Sequence, residues 1–298
     1  MGKNSDLRGV AAMLAGTATF VVGDSFMKLV TQDLPPFEVL FLRGVAASIA
    51  CAALVVWRGE QRAISGALDP RALMRAACET LSVLCYIVAL VRMPLADVIA
   101  ILQTAPLILI LGAAFLLREK VGPARVCLAG LGFVGALMVS QPGGAGFSTA
   151  ALLAFASALL IATRDLVARG VPASIPVTVV ALATTVMVMS TAGALSFAVE
   201  TWTPPTARHL VFLCAAGICV TLGHAGLLLA YRLGRTATIA PFFYSFALWG
   251  VVAGWVVWRA LPNPVAMAGI ALIMASGVAV VLIDQHANRR AVRLTEAL

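Results

Sequence analysis

The sequence is poor in charged residues. Asp, Glu, Lys and Arg together make up 11% of its 298 residues, whereas hydrophobic residues make up 61%. Soluble domains carry roughly a quarter charged residues, so a chain of this length could not cover its apolar surface in water. The composition excludes a soluble protein. It predicts an all-α membrane protein whose loops are too short to hold a separate soluble domain.

The sequence also lacks the motifs that carry chemistry. It has no Walker A loop, no H-E-x-x-H and no G-x-S-x-G, which excludes direct use of ATP and these catalytic arrangements. Its six cysteines form no C-x-x-C pair, and its three histidines are scattered. We therefore expect no catalytic residue, no metal site and no cofactor. No basic run is interleaved with aromatic residues, so the net charge of +8 indicates membrane orientation and not nucleic-acid binding.

What the sequence does contain is a series of apolar segments long enough to span a bilayer, which takes about 20 residues of helix. Charged residues, prolines and glycines separate them. The ten predicted transmembrane helices are 8–30, 37–57, 72–92, 94–117, 123–140, 148–169, 175–198, 208–231, 236–258 and 264–284.

The basic residues indicate how these helices are oriented. With the N-terminus in the cytoplasm, sixteen Lys and Arg residues fall inside and three, Arg92, Arg208 and Arg259, fall outside. Cytoplasmic loops collect Lys and Arg in this way. The bias predicts an even number of helices, both termini in the cytoplasm and a multi-pass location in the cell inner membrane.

The two halves of the chain are related by a shift of 141 residues. Five helices is an odd number, so the second copy would enter the membrane upside down, as in many secondary transporters. The chain is therefore predicted to hold two inverted five-helix repeats, 1–141 and 147–286, followed by a cytoplasmic tail, 287–298. The shift superposes Thr80 on Thr221, Leu81 on Leu222, Ala89 on Ala230, Ala96 on Ala237, Leu107 on Leu248, Arg118 on Arg259 and Pro123 on Pro264.

Particular stretches of both halves carry a family resemblance. The first half contains VVGDSFMKLV, LPPFEVLFLRG and ALVRMPLADVIAILQTAPLILILGAAFLLREKVGPARVCLAGLGFVGALMV, and the second contains AYRLGRTATIAPFFYSFALWGVVAGW. The chain resembles EamA-type members of the drug/metabolite transporter superfamily, which include aromatic amino-acid exporters. The family pattern has an acidic residue after helix 9. This chain departs from it, because the position that superposes on Glu119 of the first half is Ala260. The resemblance implies a ten-helix carrier in which helices 3, 4, 8 and 9 line a central cavity.

Ionisable residues within the apolar segments are costly in lipid, so they mark candidate sites. Asp24 on helix 1 and Arg43 on helix 2 each lie about 10 Å from the same membrane face, counting 1.5 Å per residue. Equal depth predicts an Asp24–Arg43 ion pair. One interpretation is a substrate-binding or gating pair. The other is a structural bridge between two helices, with the Lys28 side chain reaching outward to the membrane surface. Glu79 and Asp97 complete the predicted set of intramembrane charges.

Polar stripes on the repeat-related helices predict the lining of the cavity. On each of these helices the polar residues recur at helical spacing, and each is either a solute contact or a helix-to-helix contact. The predicted substrate-binding residues are Tyr86, Gln103, Thr104, His224, Tyr244, Ser245 and Trp249.

These features predict a secondary transporter that exports small organic solutes by alternating access. The resemblance favours amino acids, aromatic or otherwise apolar, as its substrates. Cationic drugs, purines or S-adenosyl compounds remain the alternative, because Asp24, Glu79 and Asp97 could attract a cation. An intramembrane enzyme is a third hypothesis, with Glu79 and His224 as its acid–base pair. The expected partners are the small-molecule substrate, the lipid bilayer and protons as a coupling ion, for which Glu79, Asp97 and His224 are candidate carriers.

Overall fold

The computed structural model describes residues 3–109, 123–140, 149–168, 170–233 and 239–296. All regular structure in these ranges is helical, and two short 3₁₀ helices, Gln61–Leu68 and Ala240–Tyr244, accompany the α-helices. The α-helices are α1 Lys3–Val30, α2 Pro36–Trp57, α3 Pro70–Arg92, α4 Leu95–Leu102, α5 Pro123–Ser140, α6 Thr149–Ala168, α7 Val177–Val199, α8 Ala207–Leu233, α9 Ser245–Trp258 and α10 Pro264–Glu296.

Seven of the described helices are long and apolar enough to cross a membrane: α1, α2, α3, α6, α7, α8 and α10. Shorter apolar helices occupy 95–109, 126–139 and 242–258. The exposed surfaces of the long helices α2, α6 and α7 carry large apolar side chains such as Ile49, Leu159 and Phe197, which suit contact with lipid. The protein is a multi-pass, all-α membrane protein, as its composition predicted.

Proline sets several of the helix boundaries. Residues 36, 70, 123 and 264 are prolines and begin α2, α3, α5 and α10, because the first helical position needs no N–H donor. At α3 the side chain of Asp69 also accepts hydrogen bonds from the backbone N–H groups of Arg71 and Ala72, at 2.9 and 3.3 Å. These bonds satisfy amides that have no partner within the helix.

The predicted helix 94–117 is interrupted. Helix α4 ends at Leu102, a turn follows at Gln103 and Thr104, and residues 105–109 are helical again, while 110–122 lie outside the described residues. Pro106 explains the break, because it has no N–H and its ring would collide with the carbonyl of residue 102. The predicted helix 236–258 is interrupted at the matching position, where the 3₁₀ helix Ala240–Tyr244 precedes α9.

The ends of the chain differ from the prediction as well. Helix α1 begins at residue 3 and not at 8, and α10 continues to residue 296. The residues predicted as a separate tail, 287–298, are therefore helical over their described part, 287–296.

The helices pack in a regular set of pairs. The most extensive contacts join α1 to α8, α2 to α7, α3 to α6 and α5 to α10, and α4 packs on α9. The contacts can be compared between the two halves by replacing each helix with its counterpart in the other half, so that α1 becomes α6 and α3 becomes α8. The α1–α8 contact then corresponds to the α6–α3 contact. The same exchange turns α2–α8 into α7–α3 and α1–α9 into α6–α4, and both of these contacts are present.

Candidate functional site

Asp24 and Arg43 lie in the interior, but the predicted direct ion pair between them is not formed. Between these two described side chains the structure has no direct salt bridge. The Arg43 Nη1 donates instead to the sulfur of Met27, one turn further along α1, at 2.6 Å. Arg43 and Asp24 still act on each other electrostatically, and Asp24 is 8% exposed. Counting residues along a helix gives the level of a charge but not the direction of its side chain. That direction depends on the rotation of the helix about its axis, and it determines which side chain Arg43 contacts.

Tyr86 of α3 completes this part of the interior. Its side chain is buried, and its hydroxyl lies close to Asp24 and Arg43. The hydroxyl and the Asp24 carboxylate interact at hydrogen-bonding range, but without the geometry of a regular hydrogen bond. A buried hydroxyl in this condition is unfavourable unless another group satisfies it. Asp24, Arg43 and Tyr86 therefore form one polar centre in the interior.

Glu79 of α3 is held by an ion pair that the sequence analysis missed. Arg164 of α6 donates through Nη1 to Glu79 and through Nε to Asp165 at 2.8 Å. Arg75 and His224 are also within electrostatic reach of Glu79. Because Arg164 was counted only as a basic residue that indicates orientation, its role as a partner of Glu79 was not recognised.

The ring of His224 of α8 packs edge-on against that of Phe20 of α1, with the ring centroids 4.9 Å apart. The His224 side chain is exposed, yet Glu79 and Arg75 of α3 and Arg164 of α6 all act on it electrostatically. The Nδ1–H of the ring donates to the Val220 carbonyl oxygen at 2.8 Å. Glu79 and Arg164 are themselves 20% and 19% exposed. These interactions connect six side chains, which we call the interior charged group: Asp24, Arg43, Glu79, Tyr86, Arg164 and His224.

Three of the predicted substrate contacts lie at the two helix breaks. Gln103 Nε2 donates to the Phe243 carbonyl oxygen at 3.3 Å, so the break after α4 is bonded to the break before α9. The Thr104 hydroxyl donates to the Ile101 carbonyl oxygen at 2.6 Å. The Ser245 hydroxyl lies 3.0 Å from that of Thr17 on α1.

The remaining predicted contacts are also used in packing. The Tyr244 ring is buried and lies against Gly277 of α10, where a side chain would overlap it. Trp249 is half-buried against the core, and its indole N–H has no hydrogen-bond partner. Of the predicted substrate-binding residues, the structure connects Tyr86 and His224 to the interior charged group.

Lys28 of α1 is hydrogen-bonded to the C-terminal end of α3. Its ammonium donates to the carbonyl oxygens of Leu90, at 2.6 Å, and Met93, and so caps the end of α3. It lies 5.9 Å from the centre of the Trp258 ring and interacts electrostatically with Asp97. A pocket of about 230 Å³ opens here, lined by Lys28, Pro94, Leu95, Ala96, Gly254, Trp258, Ala260, Leu261 and Pro262.

A further polar group lies at the bundle end where α2 begins and α7 ends. Glu200 accepts hydrogen bonds from the first amides of α2, and Glu38 accepts one from the amide of Thr203. His209 Nε2 lies 3.1 Å from Asp33 Oδ2. The sequence analysis gave none of these residues a role, because they border loops. Among the residues that the structure describes, no cluster of three or more His, Cys, Asp or Glu could hold a metal ion.

Comparison with known proteins places the chain among transporters. Residues 7–141 match the EamA-like transporter family. The riboflavin transporter of Rhizobium johnstonii is 31% identical over 74% of this chain and 72% of that protein. The pseudopaline exporter of Pseudomonas aeruginosa is 27% identical over 91% and 95% of the two chains. The S-adenosylmethionine uptake transporter of Rickettsia conorii is 20% identical over 95% and 96%.

The fold is also found in a solved structure. A crystal structure that is 21% identical in sequence superposes with a TM-score of 0.65, over 92% of this chain and 98% of the other. At this identity the likeness concerns the fold.

Proposed function

The chain belongs to the EamA-like transporter family, and from that premise we propose that it is a secondary carrier that moves a small organic solute out of the cytoplasm by alternating access. The family and the names of its relatives point to transport and not to catalysis. Glu79, the acid of the alternative intramembrane enzyme, is engaged by Arg164. The exporter that matches 91% of this chain supports the outward direction.

Two inverted repeats are part of this proposal. The observation that carries it is the set of helix pairs, which is preserved when the two halves are exchanged. The paired interruptions at Gln103 and Tyr244, 141 residues apart, add to it. Discontinuous helices near the middle of a membrane, at the boundary between repeats, are where secondary transporters bind solutes. We propose ten transmembrane helices with both termini in the cytoplasm of the inner membrane, consistent with the sixteen-to-three distribution of basic residues.

The interior charged group indicates the class of solute. It contains carboxylates at Asp24 and Glu79, guanidinium groups at Arg43 and Arg164, and the buried hydroxyl of Tyr86. A solute with both an anionic and a cationic group would satisfy such a lining better than a purely apolar or purely cationic one. We therefore propose amino acids and their derivatives as the first class of substrate, bound by the interior charged group together with the helix breaks, Gln103, Thr104, Tyr244, Ser245 and Trp249.

Riboflavin is a second candidate. It is favoured by the 31% identical relative and by the apolar pocket beside Lys28, where Trp258, Pro94 and Pro262 offer flat walls to a ring system. At about 230 Å³ the pocket is smaller than the 300 Å³ or more of typical drug-sized sites. It could receive a ring but not a whole ligand of that size. S-adenosyl compounds are a further candidate class of substrate, because one relative is named an S-adenosylmethionine uptake transporter.

Uptake by proteoliposomes tests the proposal. The purified protein is reconstituted and offered radiolabelled amino acids, riboflavin, S-adenosylmethionine, purines and quaternary ammonium compounds, with and without a pH gradient. We expect uptake of one class above that of empty liposomes. Arg43→Met should lower it by about tenfold or more, since a lost charge-assisted hydrogen bond costs about 1.5–3 kcal/mol. Arg58→Met, at the exposed end of the same helix, is the matched control. A folded Arg43→Met variant that transports normally would remove Arg43 from the solute site.

A further inference from the structure

The beginning of α2 is capped by a carboxylate from another helix. Glu200, which follows α7, accepts from the backbone N–H of Phe37 through Oε1 at 3.0 Å and from that of Glu38 through Oε2 at 3.1 Å. Both oxygens of Glu200 therefore meet amides that the helix itself leaves unpaired. The positive end of the helix dipole also favours a negative charge at this point. Glu200 therefore acts as the N-terminal cap of α2.

Glu38 lies beside this carboxylate in a different setting. Its side chain is 0% exposed, and Oε2 accepts one hydrogen bond, from the Thr203 amide at 3.0 Å. Its other oxygen, Oε1, is buried and has no hydrogen-bond partner. An ionised carboxylate in this position would combine an unsatisfied buried oxygen with a neighbouring negative charge, and both are unfavourable.

The surrounding charges do not remove this difficulty. The charged groups that act on Glu38 are Glu200, at the end of α7, and His209 of α8. His209 is engaged with Asp33 in the turn between α1 and α2, at 3.1 Å. Glu38 thus shares the site with a carboxylate that is already satisfied and with an imidazole that has its own acidic partner.

We propose that Glu38 is a proton-binding site, with the proton carried on Oε1, and that the site is occupied when the ends of α2 and α7 are packed together. Two carboxylates that share a site cannot both remain ionised without cost, and the less satisfied of the two takes the proton. The proton comes from water as this end of the bundle closes. It returns to water when the end opens and Glu38 becomes hydrated.

The consequence for transport rests on the proposed carrier function. If closing this end of the bundle requires a proton, the proton gradient biases one of the two access states. Glu38 is then the group that couples proton movement to the conformational cycle. Glu79, by contrast, is held by Arg164 and suits this role poorly.

Infrared difference spectroscopy of the full-length protein in liposomes tests proton binding without any solute. At neutral pH the spectrum of the wild type minus that of Glu38→Gln should contain the carbonyl-stretch band of a protonated carboxylic acid. Glu60→Gln is the matched control, because Glu60 lies past the other end of α2 and accepts from Thr178 of α7. The wild type minus Glu60→Gln spectrum should lack that band. Absence of the band from the Glu38→Gln difference spectrum would overturn the proposal.

A second variant covers the case in which Glu38→Gln does not fold. Glu200→Gln removes the neighbouring negative charge, so the protonated-acid band should be weaker at neutral pH than in the wild type. An unchanged band would contradict the proposal. Because neither spectrum needs a transported solute, failure of the uptake screen and failure of the proton site are separate results.

Labelling of a cysteine at the closed end tests the coupling. Leu34, which is 3% exposed in the turn before α2, is replaced by cysteine in a background without the six native cysteines. Its reaction with a membrane-impermeant maleimide is divided by that of Val199→Cys, an exposed position at the end of α7. The ratio should rise with pH, by at most about tenfold per unit for one proton, and should stay low in Glu38→Gln. A ratio independent of pH, or unaffected by Glu38→Gln, would refute the coupling.

Discussion

The contact of α1 with α8 and that of α3 with α6 occupy equivalent places in the two halves but are built from different residues. The 141-residue shift superposes Ser157 on Gly16 and Ser82 on Gly223. In the α1–α8 contact, a side chain at Gly16 would lie 3.1 Å from the Gly223 carbonyl oxygen, so the backbones lie very close. In the α3–α6 contact the two serine hydroxyls lie 2.9 Å apart.

The contrast between small residues in the α1–α8 contact and polar residues in the α3–α6 contact recurs one turn from Ser82 and two turns from Ser157. Glu79 and Arg164, which form the ion pair between α3 and α6, superpose on Val220 and Gly23 of α8 and α1. Close packing of small residues consists of van der Waals contacts, for which water is no substitute when the helices separate. Hydroxyl and ionic contacts can be exchanged for contacts with water at modest cost. We therefore expect α1 and α8 to move as one body and α3 and α6 to be the pair that separates.

The largest effect is expected from breaking the close contact. Gly16→Leu places a side chain against backbone atoms of α8 that cannot move aside, at 3.1 and 3.2 Å from the first added carbon. Overpacking of this kind costs about 3 kcal/mol or more. We expect loss of folded protein in size-exclusion chromatography after detergent extraction. Gly130→Leu is the control, because Gly130 of α5 is exposed and has open space around it. Equal yields of the two variants would disprove the close contact.

A smaller effect is expected from the ion pair. Arg164→Met leaves the Glu79 carboxylate without its main partner at a position that is one-fifth exposed. Breaking a fully buried pair costs about 3–5 kcal/mol, and partial exposure should reduce the loss to about 1–3 kcal/mol. The thermal unfolding midpoint measures it. Arg92→Met, at the exposed end of α3, should change it little. The double variant Glu79→Gln with Arg164→Met should be more stable than Arg164→Met alone. Purely additive losses would mean that the two side chains do not interact.

The smallest effect is expected from the paired serines. Ser82→Ala removes one hydroxyl of a buried pair and leaves Ser157 unsatisfied, at a cost of about 0.5–1.5 kcal/mol. Replacing both serines by alanine should restore most of the unfolding midpoint, because no polar group then remains unpaired. Ser190→Ala, on an exposed part of α7, serves as the reference. A double variant less stable than both single variants would show that the serines contribute more than their mutual contact.

The sequence predicted the all-helical, membrane-embedded class of the chain because each apolar segment is specified by its own residues. The approximate bounds of α2, α3 and α7 followed from prolines and charges at their ends. The interruption at Gln103 did not, because Pro106 acts on the turn before it and the stretch is apolar on both sides. A hydropathy pattern shows where a helix crosses the membrane but not where it is broken.

The candidate site was predicted in composition but not in its contacts. Asp24, Arg43 and Glu79 were selected because charge is rare in apolar segments. Their partners depend on helix rotation, which places Met27 beside Arg43 and Arg164 beside Glu79. Glu38 and Glu200 were missed because a carboxylate near a loop is common in any sequence. Only the packing of α2 against α7 buries Glu38 fully.

Distances between spin labels on the two equivalent helix pairs test the central claim most directly. One protein carries labels at Met74 of α3 and Thr163 of α6, and a second carries them at Leu7 of α1 and Leu229 of α8, all exposed positions. Pulsed electron resonance is recorded in liposomes, with and without the solute identified by uptake. We predict two distances for the α3–α6 pair, whose proportions change with solute, and one unchanged distance for the α1–α8 pair. A single fixed distance for α3–α6, or a shift confined to α1–α8, would contradict the account.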